Sequence, residues 1–203
     1  MKKAVKITTV SLSALVLIAG VSAIGWHFYD PDPASLPVNQ ASGKYIYDVN
    51  NPCEAAGISD YVFVGTVNEI TGYEYQGEDK MPYTVCAISV LQNLKGELPT
   101  DEPVILKKMG GLEWHKLSTV VLEDDILPEA GKTYIVLAGV DYEGLLHISS
   151  PKCMILLEDE AQIEEYKDAV ENEVLDEYHE GIMADRNHTY GVAMDAGALT
   201  GTT

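Results

Sequence analysis

The stretch Ser59-Asp-Tyr-Val-Phe-Val-Gly-Thr-Val-Asn-Glu-Ile70 decides the fold class of this chain. It is rich in β-branched and aromatic residues and contains no proline, which is typical of a β-strand. A glycine inside a strand often marks a bulge or a sharp coil, and Gly65 has this position. We therefore predict that residues 59–70 form the first strand of a small β-barrel.

Short apolar runs separated by turn residues continue from this stretch to Leu157, a pattern typical of an all-β unit. Further strands are predicted at residues 83–91, 104–109, 117–122, 133–139, 145–148 and 153–157. Residues 71–80 are mostly polar and are predicted to connect the first two strands. The fold class predicted for residues 53–157 is mainly β.

The hydrophobic period changes from two to about 3.6 residues after Leu157. Apolar side chains then lie three or four positions apart, at Ile163, Tyr166, Val170, Val174, Tyr178 and Ile182. The opposite face is acidic, and Asp159 with Gln162 resembles a capping box. We predict one amphipathic acidic helix over residues 158–182, docked through its apolar face. Residues 183–203 are predicted to be a disordered tail.

The first 26 residues have the pattern of an export signal. Lysines at positions 2, 3 and 6 precede an uncharged apolar run from Val10 to Trp26, which is just long enough to span a membrane. The lysines favour a cytoplasmic N-terminus, so the remainder is predicted to lie outside. We expect a cell-membrane protein anchored through Val10 to Trp26, or a secreted protein if cleavage occurs after Ala23.

Residues 27–52 contain four prolines and little hydrophobic periodicity. Proline-rich segments of this kind are semi-rigid and extended. We predict a stalk that lifts the following domain off the membrane.

The chain is strongly acidic, with 32 acidic and 13 basic residues and a net charge of −19. Such a charge argues against a nucleic-acid partner and against flat binding to anionic lipid. A cationic partner, or divalent cations, would suit it better, although the same charge would also keep an exported protein soluble.

Several short motifs of the β region resemble TIMP-like and netrin-module domains. They are residues 59–67 after a cysteine, Leu94-Lys-Gly96, Gly110-Gly111 and Gly131-Lys-Thr-Tyr-Ile-Val-Leu137. The resemblance covers residues 53–157, and similar domains occur in exported proteins of Gram-positive bacteria. It implies a five-stranded barrel of the oligonucleotide/oligosaccharide-binding (OB) type. In metalloproteinase inhibitors of this group, an N-terminal cysteine chelates the protease zinc, whereas here Cys53 follows Pro52 in the chain.

Three cysteines in an exported chain suggest one disulfide and one free thiol. Cys53 and Cys153 flank the predicted barrel, and a bridge between them would stabilise the fold by about 4 kcal/mol in the chain-entropy model. Cys86 lies in the middle of a predicted strand and is expected to be a buried free thiol. A Cys53–Cys86 bridge and the absence of any bridge are the alternatives.

The sequence contains no catalytic signature. His179-Glu180 begins like the helix of a zinc protease, but Met183 stands where that motif requires its second histidine. Glu123-Asp-Asp125 lacks the glycine and glutamate spacing of a calcium loop. We therefore predict a non-enzymatic protein without a cofactor or a metal site.

Aromatic residues in the predicted connections are the candidate recognition surface, because loops carry binding in many barrels of this type. They are Tyr73, Tyr75, Trp114, His115 and Tyr142. The alternative is that these side chains only cover the ends of the barrel. The predicted function is a membrane-anchored extracytoplasmic binding module for an envelope protein or glycan. The alternatives are a secreted protease inhibitor of the TIMP-like type and a hydrolase with an unrecognised site.

Overall fold

The computed structural model describes residues 31–175, 177–184 and 188–193. The predicted membrane segment, residues 1–26, lies outside these ranges, as does most of the predicted tail. Contacts divide the chain into two units, Met1–Leu36 and Pro37–Thr203. The described part of the first unit contains a short 3-10 helix, Pro33–Ser35, capped by Asp32. Across the described ranges, none of the helices has the length and apolar character that crossing a membrane requires.

The second unit is mainly β, as the sequence predicts, and helices follow its strands. Its strands are β1 (Val38–Ala41), β2 (Tyr61–Gln76), β3 (Met81–Lys95), β4 (Val104–Met109), β5 (Gly111–Leu112), β6 (Thr119–Leu122), β7 (Thr133–Val140), β8 (Leu146–Ile148) and β9 (Met154–Leu156). Its helices are α1 (Pro52–Gly57), α2 (Ala161–Glu171) and α3 (Glu177–Ala184).

Five strands form a closed ring of hydrogen bonds in the order β2, β3, β4, β8 and β7, because β7 pairs again with β2. The β4–β8 contact is parallel and the other contacts in the ring are antiparallel. Strands β8 and β9 pair with successive parts of β7. A second, smaller sheet has the order β1, β6, β5.

The core of the unit lies between these strands. Phe63, Ile88, Leu106 and Ile135 come from four different strands and are all 0% exposed. Residues 61–65 of β2 and 134–138 of β7 are all buried, so these two strands are covered on both faces. Their burial is continuous and does not show the alternation of a sheet with one solvent-exposed face.

Gly65 has the role that the sequence predicts for it. The register between β2 and β3 shifts between Val64 and Gly65, where Leu91 of β3 is left without a partner in β2. A Cβ atom at this position would lie 2.6 Å from Cγ2 of Ile88, so a larger residue would collide with the core. Glycine thus allows β2 to coil closely over β3.

The β2–β3 hairpin is longer than predicted. Residues 71–76, predicted as part of a polar connection, extend β2 to Gln76, and β3 begins at Met81. The register pairs Tyr73 with Thr84 and Tyr75 with Pro82. Cross-strand pairing of aromatic and β-branched residues stabilises a ribbon even where the sequence is polar.

Residues 37–52 differ from the predicted stalk, because they pack within the second unit. Strand β1 pairs in parallel with β6, from Val38 opposite Thr119 to Ala41 opposite Leu122. Tyr47 is only 9% exposed and belongs to the core cluster. Backbone pairing and burial of an aromatic ring outweigh the local preference of this segment for an extended, solvated state.

The predicted C-terminal helix is present but interrupted. Gln162 accepts hydrogen bonds from the N–H groups of Glu158 and Asp159, at 2.8 and 2.9 Å, which confirms the capping function predicted for this residue. Helix α2 packs on the core through Ile163, Tyr166 and Val170, as the apolar stripe predicts.

Helix α2 ends at Glu171, where Asn172 caps it, and the chain then pairs with α1. The Asn172 side chain donates to the carbonyl of Asp168 at 2.9 Å, and the N–H of Val174 donates to the carbonyl of Cys53 at 3.1 Å. A Cβ atom on Gly57 would lie 2.2 Å from the Val174 carbonyl oxygen. The backbone after α2 therefore approaches α1 at a position where only glycine fits. The predicted single helix is therefore divided into α2 and α3.

All three cysteines lie within the described residues, and all are free thiols. The predicted Cys53–Cys153 bridge is not formed. Cys53 lies in α1, and the Cys153 thiol instead forms a 3.2 Å hydrogen bond with the Tyr47 hydroxyl. Cys86 is a buried free thiol, as predicted, with 0% exposure.

Candidate recognition surface

Two loops from different sheets meet at the tip of the β2–β3 hairpin. One is the turn that joins β2 to β3 and contains Lys80, and the other is residues 113–118, between β5 and β6. The Lys80 Nζ atom lies 4.3 Å from the centroid of the Trp114 ring, which is the geometry of a cation–π contact. This contact holds the indole against the hairpin turn and joins the two loops into one surface.

Large apolar side chains are exposed around this contact. Trp114 is 55% exposed, Leu117 is 54% exposed and Tyr75 is 39% exposed. Val38, which pairs with Thr119 just beyond Leu117, is 60% exposed. We call Val38, Tyr75, Lys80, Trp114 and Leu117 the tip surface. A monomeric protein gains nothing in its own stability from exposing such side chains together, and exposed apolar patches mark interaction sites.

The 113–118 loop is held by its own hydrogen bonds. Glu113 donates its N–H to the carbonyl of Ser118 at 3.0 Å, and its carboxylate accepts from the Asn39 amide at 3.3 Å. The Ser118 hydroxyl donates to the same carboxylate. These contacts tie the loop to β1 and fix the base from which Trp114 projects.

His115 helps to shape this loop. Its Nδ1 accepts a hydrogen bond from the N–H of Leu117 at 3.2 Å, so a neutral imidazole carries its proton on Nε2. Nε2 lies 3.2 Å from the Glu113 carboxylate, to which its N–H group can donate a hydrogen bond. The ring also meets Trp114 edge to face at 5.7 Å. His115, predicted as a recognition residue, is thus next to the tip surface and supports it.

Tyr73 and Tyr75 lie on the same face of β2, but they are not equally accessible. Tyr73 packs on Gly111, where a Cβ atom would lie 2.9 Å from Cε1 of its ring. Gly111 has φ of 130°, a backbone conformation that favours glycine. Tyr73 therefore holds the hairpin against β5. Burial raises the pKa of Tyr75, so its hydroxyl remains protonated and able to donate a hydrogen bond.

Tyr142 lies apart from the other predicted recognition residues. It is 61% exposed in the loop after β7, and its neighbours Asp141 and Glu143 both bind the Lys107 ammonium. Glu74 binds the same ammonium at 3.1 Å. Because side chains alternate along a strand, Glu74 and Tyr75 lie on opposite faces of β2. The structure therefore groups Tyr73, Tyr75, Trp114 and His115 and separates Tyr142 from them.

Lys107 is a buried cation that the sequence predictions missed. It is only 2% exposed. Burial by itself would lower its pKa, but the hydrogen bonds that the ammonium donates to Glu143, Glu74 and Asp141 outweigh burial and raise the pKa above its usual value. Lys107 therefore stays charged, and its single ammonium is shared by three carboxylates.

The described part of the chain has no group of three or more histidine, cysteine or acidic side chains placed to hold a metal ion.

The buried lysines could have been predicted from the sequence Val-Ile-Leu-Lys-Lys-Met of β4. Consecutive residues of a strand face opposite sides, so one of two adjacent lysines has to point toward the core.

Comparison with known proteins assigns no family to this chain, since neither a protein-family model nor a curated protein matches it.

Proposed function

We propose that this protein is a non-catalytic binding module, anchored outside the cytoplasmic membrane, that recognises an envelope protein through the tip surface. The observation that carries this proposal is the exposed Trp114, held by Lys80 at the tip of the β2–β3 hairpin. Tryptophan and tyrosine dominate the binding energy of protein interfaces because they bury a large area at a small cost in side-chain entropy.

A protein partner fits this surface better than a glycan. Two of its exposed side chains, Val38 and Leu117, are aliphatic and offer no hydrogen bonds to sugar hydroxyls. An apolar centre with charged residues at its edge is the usual composition of a protein interface. Lys80 and the acidic Glu113 supply that polar edge.

We also infer that the five-stranded ring is an OB-type barrel, as the resemblance to TIMP-like and netrin modules implies. Three successive strands, β2, β3 and β4, lie side by side, and the next ring strand, β7, returns to lie beside β2. This is the Greek-key order, and the OB fold is a five-stranded Greek-key barrel. An experimental structure with a continuous, tilted ring would establish it, and a flat sheet would contradict it.

Site-specific photocrosslinking in cells tests the proposed binding surface. The full-length chain carries a benzophenone amino acid at position 114 or, as the matched control, at position 142. Both positions hold exposed aromatic residues, but only Trp114 belongs to the tip surface. We expect a discrete protein adduct from position 114 and none from position 142.

Once the partner is identified, Trp114→Ala and Leu117→Ser should each weaken binding by about tenfold or more, as central interface residues do. Tyr142→Ala should leave the affinity unchanged. Adducts of equal yield at both positions, or no adduct at position 114, would contradict the proposal. An adduct with glycan alone would show that the partner is a glycan and not a protein.

A further inference from the structure

Strand β1 forms one edge of the smaller sheet, and its outer edge faces solvent. Among the described residues it pairs on one side only, with β6. Val38 is 60% exposed, Asn39 and Gln40 are also exposed, and Ala41 is partly buried. Because the strand itself is exposed, its outer edge is accessible to another chain.

The backbone groups at this edge follow from the hydrogen bonds between β1 and β6. The carbonyls of Pro37 and Ala41 each accept a hydrogen bond, at 2.9 Å, from the N–H of a residue in or next to β6. In a parallel pair these bonds are evenly spaced, so Asn39, midway between the two, faces β6 as well. Val38 and Gln40 therefore direct their N–H and C=O groups away from β6.

The outward edge of β1 is unprotected. In the part of the chain that the structure describes, none of these outward groups has a hydrogen-bond partner. Proteins often protect an exposed edge with charged side chains or with a proline inside the strand. Residues 38–41, Val-Asn-Gln-Ala, contain neither, and Pro37 stands just before the strand. The edge is thus open to pairing with an added strand.

The edge of β1 leads directly to the tip surface. Since β1 and β6 are parallel, Val38 lies at the end of the smaller sheet where the 113–118 loop enters β6. Val38 is itself a member of the tip surface, and the Asn39 amide binds Glu113 at the base of the loop. A strand beside β1 therefore passes next to the loop that carries Trp114.

Continuity with the tip surface also indicates which molecule occupies the edge. With four residues, β1 offers few main-chain hydrogen bonds, so an added strand needs further contacts, which the tip surface supplies. A second copy of this chain is a poor occupant, because each chain has a net charge of −19 and the two would repel each other. The occupant that fits is the protein partner of the tip surface.

We infer that this partner is recognised through an extended segment that adds as a strand to β1 and continues over the tip surface. The inference rests on the proposed function, because it specifies how the same partner is bound. Main-chain hydrogen bonds with Val38 and Gln40 supply affinity, and side-chain contacts with Trp114 and Leu117 supply selectivity. An uncharged segment with an apolar side chain beside Val38 fits this edge.

A proline at position 40 tests the main-chain pairing. The hydrogen bonds to β6 come from Pro37, Asn39 and Ala41, so Gln40→Pro removes an outward N–H and leaves these bonds in place. Gln40→Ala removes the same side chain but keeps the N–H. Each variant is made in the full-length chain with the benzophenone amino acid at position 114 and is irradiated in cells. We expect about tenfold less adduct from Gln40→Pro than from Gln40→Ala at equal protein level.

The positions of the adducts give a second readout. The side chains of residues 38 and 40 lie on the same face of β1, and an added strand places beside them two partner residues on its own matching face. Benzophenone at position 38 or at position 40 should therefore form adducts within one segment of the partner, at sites about two residues apart.

Purified full-length Gln40→Pro and Gln40→Ala should have the same melting temperature, so that a lower adduct yield reports on pairing and not on folding. Equal adduct yields from the two variants, or adducts scattered over several segments of the partner, would overturn the strand addition and leave the tip surface as the binding site. A dimer of the purified chain that is lost in Gln40→Pro would show that a second copy occupies the edge, and would also overturn it. No adduct from position 114 with β1 unchanged would contradict the proposed function, and this inference with it.

Discussion

The ammonium of Lys108 and the carboxylate of Asp125 form an ion pair inside the domain, with side chains only 0% and 1% exposed. Lys108 shares the inward face of β4 with Leu106. Asp125 lies in the loop after β6, and its second oxygen accepts the N–H of Lys152 at 3.3 Å. The pair therefore joins the ring to the loop that follows the smaller sheet.

Breaking this pair on one side should be strongly destabilising. Lys108→Met leaves the Asp125 carboxylate buried without its counter-charge, which we expect to lower the free energy of unfolding by about 3–5 kcal/mol in urea titrations. Lys108→Met combined with Asp125→Leu should recover most of this loss, because no isolated charge remains. The exposed pair Lys167–Glu164 provides the control, and Lys167→Met should change stability by at most about 0.5 kcal/mol. A double variant no more stable than the single one would contradict this interpretation.

Aspartate substitutions at Val170 and at Val174 should change the free energy of unfolding by very different amounts. Val170 packs against the core, whereas Val174 is 51% exposed beyond the end of α2. Val170→Asp places a charge in an apolar contact and should cost about 2 kcal/mol or more in the free energy of unfolding. Val174→Asp should cost about 0.5 kcal/mol or less. Equal effects in urea titrations would show that α2 is not docked as described.

The three thiols should be distinguishable by reactivity. Burial raises the pKa of Cys86 to about 12 and also raises that of Cys153, whereas Cys53 is only partly buried. Alkylation under native conditions, followed by peptide mapping, should label Cys53 first and Cys86 only after unfolding. Recovery of a Cys53–Cys153 disulfide peptide without reduction would contradict the free thiols of the structure.

The same burial of Cys86 makes stability sensitive to alkaline pH. The pKa of its thiol rises from 9.0 to about 12, so the folded state holds this proton more tightly than the unfolded state. The resulting stabilisation is complete below pH 9.0 and is lost as the pH rises toward about 12. Urea titrations across this range should show a steeper loss for the wild type than for Cys86→Ala. Parallel curves would exclude this contribution.

We predict that the full chain does not inhibit zinc proteases by the chemistry of TIMP-like inhibitors. That chemistry needs a free amine and carbonyl on the cysteine, but the Cys53 N–H binds the Asn51 side chain at 3.1 Å and its carbonyl accepts from Val174 at 3.1 Å. An amide nitrogen also has no lone pair available to a metal. A panel of zinc proteases should remain fully active in the presence of micromolar protein. Stoichiometric inhibition would show that the inhibitor mechanism operates here.

We predict that the protein fractionates with membranes and exposes its acidic domain outside the cell. The lysines at positions 2, 3 and 6 and the apolar run from Val10 to Trp26 favour this orientation. Protease added to intact cells stripped of wall should digest the domain. Protection of the domain under these conditions would reverse the topology, and its release into the medium would indicate cleavage after Ala23.

The sequence by itself determined the β character of the domain, the need for glycine at position 65 and the apolar face of α2, because each depends on residues close together in the chain. A period of two or of 3.6 residues is a local property, and so is the need for glycine where a strand coils. Strand ends were less well determined. Residues 71–76 are polar but continue β2, since their pairing with β3 compensates for weak local preference.

The tertiary structure alone decided which distant segments meet. The pairing of Val38 with Thr119 places residues 38–41 of the predicted stalk in a strand. The turn containing Lys80 places a cation next to Trp114. Lys107 and Lys108 acquired their partners in the same way. These contacts join residues far apart in sequence, and their energies depend on burial and distance in the folded chain, which no local pattern contains.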